Sequence, residues 1–182
     1  MNEWQQELRR SLSPPDGRQN RLAVVGVGQT LRGDDGAGAL VARQVAARLD
    51  DPALLVVAAD HAPENCLGVV TRFQPGVVLF VDAARGGGAP GEVVVVPAAA
   101  ADGLGSTHTL PLATLGDYLT AVTGAPVFVL GIEPGRMAFG EGVSAPVAAA
   151  VAAVTAALVD YWRSAAAASS ARVAGAVSVA ST

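Results

Sequence analysis

Short, continuously apolar runs alternate with stretches of helical spacing through the middle of the chain. Leu22–Val27 (LAVVGV), Leu54–Ala59 (LLVVAA), Val77–Val81 (VVLFV) and Pro126–Ile132 read as strands, the first buried and the third covered on both faces. Between them, Asp35–Leu49 places Leu40, Val41, Val45 and Leu49 on one helical face. Pro63 to about Phe73 reads as a second helix with proline in its first turn, and Leu112–Val122 and Val143–Trp162 read as two more. Glu92–Val96 (EVVVV) follows the third strand after only a glycine-rich connection, too short for a parallel crossover, so it is expected as an antiparallel neighbour or edge.

This order predicts an α/β fold: a three-layer sandwich with a mostly parallel, twisted sheet of about five strands and helices on both faces. Residues 21–163 form the expected single domain. Residues 1–20 are polar and are expected as a flexible extension. The Ala/Ser/Val-rich residues 164–182 are expected as a low-complexity tail, disordered or weakly helical. Ala145–Trp162 is the one stretch resembling a membrane span. It contains Thr155 and Asp160 and leans on alanine, so it is expected as a soluble helix packed on a core.

Composition narrows the function. Across 182 residues the formal charge is −4, which disfavours a sequence-independent grip on nucleic acid or acidic lipid. Cys66 is the single cysteine, so no internal disulfide framework exists and a reduced, cytoplasmic setting fits. Lysine is absent, which removes lysine-dependent phosphate binding and Schiff-base chemistry. Neither G-x-S-x-G nor H-E-x-x-H occurs.

In parallel sheets, sites gather beyond the carboxyl ends of the strands. There the sequence places Asp34 and Asp35 after the first strand, and Asp60, His61, Glu64 and Asn65 after the second. Asp82 ends the third, Ser106-Thr107-His108 lies in a later loop, and Glu133 follows the last strand. Asp35, Asp82 and His108 together offer two carboxylates and an imidazole, a donor set suited to a first-row divalent ion with open positions. Each also has a plainer role. Either acid of the Asp34-Asp35 pair can offset a helix dipole, Asp82 can cap a loop, and a loop histidine is ordinarily solvated. Cys66, with no base beside it in sequence, reads as a packed small side chain.

The stretch GVGQTLRGDDGAG (Gly26–Gly38) also resembles a dinucleotide loop, with Asp60 in the place of a ribose-binding acid. Asp34 and Asp35 would then face a pyrophosphate, and like charges repel, so the nucleotide-binding enzyme ranks below a cation site.

Taken in register, GVGQTLRGDDGAG, DHAPEN, VLFVDA, STH and LGIEP resemble the [NiFe]-hydrogenase maturation proteases, and APEN and GIEP point to the subgroup serving formate-hydrogenlyase hydrogenases. The resemblance covers roughly Leu22 to Tyr161. It implies a monomeric cytoplasmic endopeptidase that removes a C-terminal peptide from the hydrogenase large-subunit precursor once that precursor carries nickel. It further implies Asp35, Asp82 and His108 as the metal-contacting, catalytic set, with Asp34 second-ranked. Two departures stand out: Gln29 occupies a position usually held by Asn, and His61-Ala62 a position that is commonly Gly-Gly. A non-cleaving, nickel-checking chaperone of hydrogenase assembly would carry the same residues and is the alternative.

Overall fold

The computed structural model describes residues 2–13, 21–103, 105 and 111–179. Five strands form one sheet: β1 (Leu22–Val27), β2 (Leu54–Asp60), β3 (Val77–Ala83), β4 (Val93–Pro97) and β5 (Val127–Ile132), in the order β2-β1-β3-β5-β4. All pairings are parallel except β4 with β5. The mostly parallel sheet and its antiparallel edge are as the apolar runs and the short glycine-rich connection predict. Every residue of β1 and β3 is buried, which is why their sequences are apolar without alternation.

Alternate side chains of the sheet feed two cores. Leu22, Val24, Leu79, Val81, Leu130 and Ile132 meet α1 (Glu3–Leu12), α2 (Ala37–Ala46) and α5 (Ala145–Val179) on one face. Ala23, Val25, Val78, Phe80, Val127 and Val129 meet α3 (Leu67–Phe73) and α4 (Leu112–Thr123) on the other. The helix expected from Asp35 begins instead with a 3-10 turn over Gly33–Gly36, and another such turn, Pro63–Cys66, precedes α3.

Residues 1–20 do not behave throughout as the flexible extension expected of them. Glu3–Leu12 is a helix, and Leu8 and Leu12 are buried in the first core with Trp4 packed against it. The spacing of Trp4, Leu8 and Leu12, four residues apart, puts them on one face of that helix, a signal easily overlooked among the polar residues around them. The Tyr161 hydroxyl donates to the Leu12 carbonyl and fixes the end of α1 to α5.

Helix α5 continues through the expected tail to Val179, and 180–182 lie outside the described residues. By length and composition Ala145–Ala168 is apolar enough to cross a membrane. Its Val147, Val151, Val154, Leu158 and Trp162 nevertheless form a buried stripe in the first core. That stripe, at intervals of three to four residues, is the pattern of a helix laid on a sheet.

If α1 is part of this core, Leu8→Ala should cost roughly 2–5 kcal/mol, the range for removing a fully buried leucine side chain. Urea denaturation would register it as a lowered midpoint. An unchanged midpoint would mean that α1 is not seated on the core in solution.

Candidate active site

The first strand ends in a turn whose glycines are dictated by contact. At Gly26 a Cβ would lie 2.1 Å from the Gly38 carbonyl oxygen, and at Gly38 one would lie 2.0 Å from the Val81 carbonyl oxygen. Helix α2 therefore presses backbone to backbone on β1 and β3, a distance only glycine permits. Gly28 adopts φ +121°, and its N–H donates to the Asp60 carbonyl at 2.6 Å. This locks the turn to the end of β2, where the β1–β2 register slips and Asp60 sits at φ +48°.

The result is a short path between two carboxylates. Asp35 lies three residues before Gly38, and Asp82 directly follows Val81, whose carbonyl faces Gly38. Asp35 and Asp82 are 3% and 1% exposed, so both acids are deep in the fold rather than solvated caps. The Gln29 N–H donates to Asp35 Oδ2 at 2.9 Å. A carboxylate of the turn thus takes the kind of backbone donor that a nucleotide phosphate would require, which disfavours the dinucleotide reading. By alternation along β3, Asp82 belongs with Val78 and Phe80 to the face covered by α3 and α4.

His108 lies outside the described residues. Its neighbour Gly105 is described: Gly105 and Arg85 exchange backbone hydrogen bonds of 3.0 and 3.1 Å. The segment leading to His108 therefore leaves from a point three residues beyond Asp82. Among the described residues no three metal-ligating side chains cluster.

Asp34 has a different task from its neighbour. It is fully buried and accepts hydrogen bonds from the N–H groups of Gly135 (2.8 Å), Arg136 (2.8 Å) and Ser144 (2.6 Å) and from the Ser144 hydroxyl (2.9 Å). Its own N–H donates to the Arg136 carbonyl at 2.9 Å. Asp34 is therefore a staple between the first turn and the loop after β5. Burial pushes its carboxyl pKa up, but the four donors outweigh burial and hold it below the ordinary value. Glu133 plays a parallel part, accepting from Gly86 (2.6 Å) and Gly88 (3.3 Å) and so ordering the glycine loop after β3.

The groups after β2 stay apart from this arrangement. His61, Glu64 and Asn65 are exposed, and Asp60 pairs with Arg43 at 3.0 Å. Burial, then the charges of Glu64 and Asp60, push the Cys66 thiol pKa up, the wrong direction for a nucleophile.

Because the folded-state pKa of Asp34 is depressed, its stabilising contribution is present above the unfolded value of ~4 and is lost as pH falls through the folded value. Asp34→Asn turns one acceptor into a donor facing N–H groups and should cost about 2–3 kcal/mol at neutral pH. In urea melts the gap between variant and wild type should narrow below pH ~4; a gap independent of pH would contradict the staple.

A family profile described as hydrogenase maturation protease (HycI) matches residues 39–161. That stretch contains Asp82 and His108 and begins just beyond Asp35. The hydrogenase 3 maturation protease of Escherichia coli K12 is 35% identical over 130 residues, covering 70% of this chain and 82% of the relative. The crystal structure of the [NiFe] hydrogenase maturation protease HycI from Thermococcus kodakarensis superposes with a TM-score of 0.79 at 27% identity, covering 86% of this chain and 99% of that one. The solution structure of the endopeptidase HycI from Escherichia coli gives 0.63 at 34% identity, over 74% and 86% of the two chains. With buried acids at the carboxyl ends of β1 and β3 and a profile match spanning most of the domain, this chain belongs to the hydrogenase maturation protease family.

Proposed function

We propose that the protein is a cytoplasmic, monomeric endopeptidase that removes the C-terminal peptide from a [NiFe]-hydrogenase large-subunit precursor. It recognises the precursor through nickel that the precursor already holds, with Asp35, Asp82 and His108 completing the coordination. The observation that supports this reading is the pair of deeply buried carboxylates, Asp35 and Asp82, following β1 and in β3, whose segments are joined by the glycine-only contact of α2 with β3. Chain connectivity supports His108 as the third member. Three residues beyond Gly105 reach at most ~11 Å, and α4, which follows His108, covers the face to which Asp82 belongs. Carboxylate and imidazole donors match a first-row divalent cation.

A substrate metal held there fixes the scissile bond beside the site, so that cleavage waits for nickel loading. Asp35, where it is not purely a ligand, is the first choice as general base. The water oxygen attacks the scissile carbonyl carbon while its proton passes to the Asp35 carboxylate. The proton moves on to the departing nitrogen as the C–N bond breaks, leaving a new carboxyl and a free amine.

Purified wild type incubated with nickel-loaded precursor should shorten the precursor by its C-terminal peptide, seen by mass spectrometry. Binding without any change of mass would favour the chaperone. Asp35→Asn, Asp82→Asn and His108→Ala should each lower processing by ~10²-fold or more while melting near wild type; normal processing by any one of them removes that residue from the set. Deleting residues 168–182 should leave processing intact, since among the side chains described, up to residue 168, the buried stripe of α5 ends at Trp162. A large loss would assign those residues a functional role.

A further inference from the structure

Leu31 and Phe139 are 59% and 75% exposed and stand out among the large apolar side chains at the surface. Their segments are tied together through the backbone. The Gly140 N–H donates to the Leu31 carbonyl at 2.8 Å, and one turn further on Asp34 staples the same two loops through Gly135, Arg136 and Ser144. Gly33 completes the crossing: at φ +59°, a Cβ there would lie 2.7 Å from the Arg136 carbonyl oxygen. An apolar pair carried on backbone fixed in this way lowers the ordering cost of binding, as preorganised interface anchors do.

We propose that Leu31 and Phe139 form a docking ridge that seats on an apolar, carboxylate-rimmed surface of the large-subunit precursor and thereby sets its C-terminal segment over the Asp35 turn. The inference rests on the proteolytic reading above and names the contact by which the folded precursor is held. Two features identify the occupant. Leu31 stands four residues before Asp35 in the same turn, so a partner seated on the ridge lies beside the Asp35 turn, where a substrate has to be. Charge gives its chemistry: in a chain of net charge −4, exposed Arg32 and Arg136 border the ridge, and among the described residues Arg136 has Glu141 at 3.7 Å while Arg32 makes no ion pair. A partner with an apolar centre and acidic margins complements this surface.

The test is steady-state processing of nickel-loaded precursor by the full-length Leu31→Ser/Phe139→Ser variant and by Phe139→Leu. The double variant should melt like wild type and lose about tenfold or more in kcat/KM, carried by KM with kcat retained. Phe139→Leu should recover most of the loss. An unchanged KM in the double variant overturns the ridge while leaving the proteolytic function standing. If wild type itself leaves the precursor uncut, proteolysis fails. The ridge is then judged by co-elution: precursor retained by wild type and lost by the double variant supports it, and equal retention overturns it. A wild-type dimer dispersed by Phe139→Ser with KM unchanged also overturns it.

Discussion

The close approach of α2 to the sheet is the constraint on which the site depends. Gly26 and Gly38 let helix backbone rest on strand backbone, with Val81 and Val27 carbonyls filling the space where a side chain would stand. A larger residue at Gly38 would lift the helix off β3, and Asp35 would move away from Asp82 with it. The glycines of GVGQTLRGDDGAG thus serve the placement of a carboxylate rather than the cradling of a phosphate. The same turn aims the Gln29 N–H at the buried Asp35 carboxylate.

Adjacent acids in this turn have opposite roles. Asp34 turns its carboxylate toward the loop after β5 and spends its acceptors on four donors of that loop. Asp35 faces the turn of its own strand, where Gln29 supplies a donor. Glu133 orders the glycine loop on the far side of β3. Two structural carboxylates therefore frame the two proposed functional ones, and the rim loops are shaped by charge-assisted hydrogen bonds to backbone rather than by packing.

Much of this was legible in the sequence. Buried parallel strands advertise themselves as unbroken apolar runs, so β1, β3 and β5 could be placed within a residue or two, and the short link through Gly86–Gly88 marked β4 as antiparallel. Asp35 and Asp82 were legible because the carboxyl ends of strands are where polar groups collect. The role of Asp34 was not, since its partners lie 101, 102 and 110 residues further along and are mostly main-chain groups that no side-chain pattern encodes. The docking of α1 was hidden for another reason: three apolar residues spaced by four are diluted in a segment whose composition is polar. The extent of α5 was hidden because alanine-rich sequence favours helix without the large side chains that reveal what it packs against.

The length of chain between Asp34 and its partners has a consequence for synthesis. Until the ribosome has made Ser144, the Asp34 carboxylate lacks two of the four donors that compensate its burial, the Ser144 N–H and hydroxyl. A nascent chain ending before Ser144 also lacks α5, whose buried side chains from Val147 to Trp162 complete the first core. The staple of the first turn and the first core are thus completed by one stretch of chain, from Ser144 into α5.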